Sequence, residues 1–193
     1  MKVIKKSKSK YSKVKQLNLT SPLVARIFFS LVVLLVLSLL GFNIKLLLFL
    51  IISIVFNAML ANFQLKRGFP TDFELSTFST VMVTLAFGLP WGIAIAIFSK
   101  LIASIYTGNV LADHFFMILT YINAAILAFL FSSLNPFIIG MIIVTINVVI
   151  MFFISKNILG LDITSNLSYT GTNFIFNFLV FSIFSEVVYN LLI

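Results

Sequence analysis

Cysteine is absent from this chain, histidine occurs once, at His114, and only 9% of the 193 residues are charged. The first absence excludes disulfides, thiol redox chemistry and cysteine metal sites. The second excludes a multi-histidine metal centre within one chain. The third sets the chain apart from soluble domains, in which roughly 25% of residues are charged. What fills the space is apolar: 61% of the residues are hydrophobic and the mean hydropathy is +1.19. A soluble globular fold is excluded on that ground.

The formal net charge of +8 is unevenly spread, because seven lysines lie within the first fifteen residues: Lys2, Lys5, Lys6, Lys8, Lys10, Lys13 and Lys15. Beyond them, six basic residues face five acidic ones. Residues 1–21 thus read as a basic, disordered tail, and 22–193 as a nearly neutral transmembrane domain. The tail is expected to act as a topology determinant near anionic lipid, worth roughly 1 kcal/mol per lysine, and no nucleic-acid partner is expected. The apolar run Leu23–Leu40 exceeds the roughly 7–15 residues of a signal-peptide core, so it reads as a retained first span.

A helix needs about 20 apolar residues to cross a bilayer. Sparse charges and turn residues then cut the chain into an all-α, polytopic bundle of six to seven helices, at about 22–42, 44–63, 73–87, 91–106, 114–133, 136–154 and 170–192. Gly41-Phe42-Asn43 closes a first hairpin, Gln64–Asp72 is the main polar loop, and Gly88 and Pro90 break the long apolar stretch between Phe73 and Tyr106. If that break is a true turn, Lys156 falls on the same side as Lys66 and Arg67; if it only kinks one span, Lys156 falls opposite. The positive-inside rule places the N-terminus in the cytoplasm of a multi-pass cell-membrane protein.

Polar side chains within spans are costly unless they face a protein interior or a water-filled cavity. Ser76, Ser79, Thr80 and Thr84 share one face of the third segment, for packing or for lining a cavity. Gly92, Ala96, Ser99 and Ala103 form a small-residue face suited to close helix packing. Lys100 stands beside it, either snorkelling to the headgroups, ion-paired or facing an anionic ligand. In the last segment Ser182, Glu186 and Asn190 make one polar stripe, with Tyr189 alongside, and Asn173 and Asn177 another. Glu186 is the acidic residue most clearly inside a span; it either reaches the membrane interface or forms an intramembrane charge pair, for which Lys100 is the natural partner. Asp72, Glu74 and Asp113 read as helix-start residues that favour the dipole. His114 reads as an interfacial side chain or as a proton-linked partner of Asp113. Asn123, Asn135 and Asn147 read as possible interhelical hydrogen-bonders. No nucleophile-base pair, phosphate loop or paired-carboxylate site can be assembled, so neither an enzyme nor a metal or cofactor is expected.

From Asp72 to Gly108 the chain resembles two groups of small membrane proteins, the S-components of energy-coupling-factor vitamin transporters and the MreD rod-shape family. The residues that carry the likeness are Phe73-Glu74-Leu75-Ser76, Phe87-Gly88-Leu89-Pro90-Trp91-Gly92, the small-residue helix through Lys100, and Thr107-Gly108. The S-component resemblance implies a membrane subunit that binds a small molecule or vitamin, energised by a transmembrane coupling subunit and an ATPase. Its ligand would lie among Ser76, Thr80, Lys100, Asn173 and Asn177. The rod-shape resemblance implies a non-transporting scaffold that docks partners on the Gly92–Ala103 face. A third reading is a proton-linked carrier using Glu186.

Overall fold

Asparagine, aspartate, glycine and proline set where the helices begin and stop. The computed structural model describes residues 41, 43–67, 71–109 and 112–193; the basic tail and all of the expected first span except Gly41 lie outside the described residues. The described helices belong to the unit Asn43–Ile193.

Helix α1 (Ile44–Arg67) starts where the Asn43 side chain accepts from the Lys45 and Leu46 backbone N–H groups, at 2.9 and 3.4 Å. Helix α2 (Ser76–Phe87) ends at Gly88, whose φ of +90° turns the chain directly into α3 (Leu89–Thr107). Pro90 lies in the first turn of α3, where its missing N–H has no intrahelical partner to lose. Gly108 ends α3 in a left-handed conformation, φ +66°. Helix α4 spans Ala112–Leu130. Asn135 caps α5 (Pro136–Asn157) by accepting from the Phe137 N–H at 2.8 Å, and Asp162 caps α6 (Ile163–Leu192) from the Ser165 N–H at 2.9 Å. No strand occurs among the described residues.

Several expected boundaries move. Gln64–Arg67 continue α1, and Ile163–Tyr169 belong to α6, where Asn166 donates to the Phe152 carbonyl of α5 at 2.9 Å. Helix α2 begins at Ser76, so Phe73, Glu74 and Leu75 are not helical.

All of these helices except α2 are long and apolar enough to cross a membrane. Their outward faces are built for lipid, and buried polar side chains are kept inside. On α1, Ile51, Ile52, Val55, Phe56 and Met59 are exposed, whereas Leu46, Ser53, Asn57 and Ala58 are buried. A soluble protein would lose free energy by that arrangement, and a multi-pass membrane protein gains from it.

The 12-residue α2, about 18 Å long, is the hub. It touches every other described helix, and all residues from Ser76 to Thr84 are buried. Its hydroxyl-rich sequence is thereby explained: the helix is solvated by protein on every side. Phe78, Val81 and Met82 pack with Ala124 and Ala128 of α4, Ile139, Ile143 and Val144 of α5, and Phe181 of α6, while Val83 meets Leu46 and Ile95.

Two glycines permit the closest approaches. A Cβ on Gly92 would lie 1.9 Å from Thr84 Oγ1, and one on Gly140 would lie 2.1 Å from the Phe181 ring. Phe181 is fully buried and held edge-on against Phe78, centroids 5.0 Å apart, so its ring has little room to yield. Gly140→Ala should therefore destabilise the protein by about 1–3 kcal/mol, as overpacking does, and Phe181→Leu should relieve part of that loss. Thermal unfolding of the single and double variants checks this; additive effects would mean that the two residues do not compete for the same space.

Candidate functional site

The non-helical stretch before α2 needs hydrogen bonds that no helix supplies, and backbone groups left unpaired at membrane depth are costly. Neighbouring side chains provide them. Asp72 N–H donates to Thr172 Oγ1 at 3.0 Å, Leu75 N–H donates to Asn57 Oδ1 at 3.0 Å, and Phe73 C=O accepts from Gln64 Nε2. Asn57 continues the tie by donating to Ser76 Oγ at 2.9 Å and to the Ser99 carbonyl at 3.2 Å, and Ser99 Oγ donates to Ser76 Oγ at 3.0 Å. Residues 71–75 are thus held between α1, α3 and α6, and they carry two carboxylates inward.

Both carboxylates are buried. Glu74 Oε2 accepts from the Tyr121 hydroxyl and lies 3.5 Å from Lys100 Nζ, with side-chain exposures of 5% for Glu74 and 12% for Lys100. Asp72 Oδ2 accepts from Asn173 Nδ2 at 2.7 Å, and the same amide reaches Glu74 Oε1 at 3.5 Å. Asp72 and Glu74 therefore do not serve as N-terminal acids of α2; the helix starts two residues past Glu74, and the side chains turn into the bundle. Asp113 does lie in the first turn of α4.

Lys100 pairs with Glu74, not with Glu186. Helix direction is the reason: Lys100 occupies the C-terminal half of α3, at the end where α6 begins, whereas Glu186 is near the C-terminus of α6. Glu186 is exposed and accepts from Asn135 Nδ2 at 3.0 Å, at the start of α5.

Above the carboxylates opens a cavity of about 510 Å³. Asn57, Ala61 and Gln64 of α1 form one wall, Lys100, Ala103, Ser104 and Thr107 of α3 another, and Asp72 and Glu74 also line it. His114 of α4 and Ser165 of α6 complete the rim. Ser104 Oγ and His114 Nδ1 are 2.8 Å apart, and His114 Nε2 is 3.8 Å from Asp113 Oδ1. Such a volume lies within the roughly 300–1,000 Å³ of small-molecule sites, and its lining offers one ammonium, two carboxylates, an imidazole and several amides and hydroxyls.

Of the five residues expected around a ligand, only Lys100 lines this cavity. Asn173 lines a smaller chamber on the other side of Asp72 and Glu74. Ser76 is occupied by Asn57 and Ser99; Thr80 is fully buried, with no hydrogen-bond partner for its hydroxyl among the described residues. Asn177 is fully buried too, its Nδ2 donating to Asn173 O at 3.1 Å and Oδ1 at 3.2 Å. Gly92, Ala96, Ser99 and Ala103 are all buried inside the bundle, and Ala96 packs with Met117, Tyr121 and Met151.

Asn57 and Gln64 escaped the sequence analysis. Asn57 did carry a signal, an amide within an otherwise apolar span. Among the described residues, no group of three or more His, Cys, Asp or Glu side chains is placed to hold a metal ion. Compared with known proteins, the chain matches no family model, no curated protein and no solved structure.

Proposed function

We propose that this chain is the membrane-embedded, substrate-binding subunit of a small-molecule or vitamin uptake system, energised by partner subunits. The observation that carries the reading is the 510 Å³ cavity, placed at one end of the helices and lined by Asp72, Glu74, Lys100 and His114. Rigid polar groups around a cavity of that size suit a polar molecule rich in hydrogen-bond donors, because the two carboxylates leave acceptor capacity beyond the single ammonium. The sequence has no nucleotide-binding loop, so an ATPase and a coupling subunit would supply the energy. In this reading the lysine-rich tail faces the cytoplasm of the cell membrane, and the chain catalyses no reaction. A scaffold docking partners on Gly92–Ala103 gains no support from a face already packed against the protein's own helices, nor a proton carrier from a Glu186 outside the cavity.

The purified full chain, screened against water-soluble vitamins and molecules of similar size, should be stabilised by at least one of them, by about 2.7 kcal/mol at 100 times its Kd. Ala61→Trp, which fills the cavity from the α1 wall, should abolish that shift while leaving the unliganded midpoint nearly unchanged. A screen without any shift, or an equal shift in Ala61→Trp, would overturn the reading.

A further inference from the structure

Beneath Asp72 and Glu74, away from the large cavity, lies a second chamber of about 20 Å³, whose walls combine Thr77, Thr120, Asn147, Asn173 and the two carboxylates with the apolar Met117, Val148 and Met151. It is big enough for one water-sized particle, for which roughly 10–15 Å³ suffices. Three observations bear on what it takes.

The first is charge. Asp72 and Glu74 bring two negative charges into the bundle, and Lys100 brings one positive charge, which meets Glu74 at 3.5 Å. Lys100 lines the outer cavity and not the chamber. Asp72 accepts from the Asn173 amide, but a dipole does not neutralise it. With both carboxylates ionised, one unit of negative charge is left over where isolated charge is most costly.

The second is Asn147. Its side chain is on the chamber wall, the residue is only 6% exposed, and neither atom of its amide has a hydrogen-bond partner among the described residues. Its Oδ1 is thus a buried acceptor left unmet, which costs free energy unless a cation or a donor in the chamber engages it. The third is donor chemistry. The groups around the chamber that can hold an ion offer carboxylate, amide carbonyl and hydroxyl oxygens, the set that suits a hard cation.

We propose that this chamber is a binding site for a small monovalent cation of the size of Na⁺, held by Asp72, Glu74, Asn147 and Thr120 and supplying the positive charge that Lys100 alone does not. A monovalent ion matches the one unit of residual charge; a divalent one would overshoot it. Because Asp72 and Glu74 line both spaces, an ion below orders the same carboxylates that a molecule above would touch. If the outer cavity takes a small molecule, the two ligands strengthen each other reciprocally. That coupling rests on the uptake reading; the ion site does not.

The test uses the full chain in detergent without organic ligand, at constant ionic strength, with NaCl replacing choline chloride. Na⁺ should raise the thermal midpoint saturably. Asn147→Leu should weaken the apparent Na⁺ affinity by about tenfold or more, while its stability in choline stays at or above that of the unaltered chain. Thr120→Val, a milder change, should weaken it in the same direction. Ala61→Trp should keep the Na⁺ response, which separates this site from the cavity above. Equal midpoints in Na⁺ and choline would overturn the proposal, as would a response to Ca²⁺ or Mg²⁺ alone, to pH alone, or a Na⁺ response unaltered in both chamber variants.

Discussion

Lys100→Met should lower the unfolding free energy by about 3–5 kcal/mol, the usual cost of removing one partner of a buried ion pair. Glu74→Gln on that background should recover most of it. The reasoning starts from burial: both side chains are almost shielded from solvent, so removing the ammonium leaves the Glu74 carboxylate beside Asp72 with the Tyr121 hydroxyl and the Asn173 amide as its partners. Methionine retains the apolar stem, so the measured loss reports charge and not packing. A lysine that merely snorkelled to the headgroups would behave differently: its loss would stay within about 1 kcal/mol, as for exposed pairs, and Glu74→Gln would not rescue it. Equilibrium unfolding of the four members of the double-mutant cycle decides between these outcomes.

Lys100 also marks what could be read from the sequence. A lone lysine in an apolar segment advertised a constrained environment, and it does line the cavity. Of the two readings of Glu186, the exposed one fits and the pairing with Lys100 does not, because spacing along α6 identifies a polar face but not the end of the bundle at which that face lies. The two carboxylates were misread for a related reason. A helix beginning at Phe73 would have used Asp72 and Glu74 as favourable charges at its positive end; starting at Ser76, it leaves them on a non-helical segment whose course depends on Asn57, Gln64 and Thr172. Those long-range contacts leave no local periodicity. The hydroxyls of α2 were correctly expected to face protein, yet a stripe at Ser76, Thr80 and Thr84 could not reveal that Phe78 and Val81 on the other sides are buried as well. A helix shorter than the membrane, and polar enough to be unwelcome in lipid, is a sign of a central position.

Asn57→Ala should cost about 2–4 kcal/mol and should loosen the cavity floor as well. The residue is 3% exposed, and its amide is the contact through which α1 holds both the start of α2 and the Ser99 turn of α3. Alanine leaves the Leu75 N–H without its acceptor, a penalty of about 1–3 kcal/mol for a buried group. It also removes two donated bonds, each worth about 0.6 kcal/mol on average between membrane helices. Thr145→Ala is the matched control, since that hydroxyl is exposed and bonds only to the Met141 carbonyl of its own helix; its effect should stay within about 0.5 kcal/mol. Because Leu75 adjoins Glu74, release of the Leu75 N–H frees the segment bearing both carboxylates. The Na⁺-dependent shift should therefore weaken in Asn57→Ala even when each measurement is referred to the variant's own baseline. A variant as stable as Thr145→Ala, with an intact ion response, would show that Asn57 does not hold this segment in place.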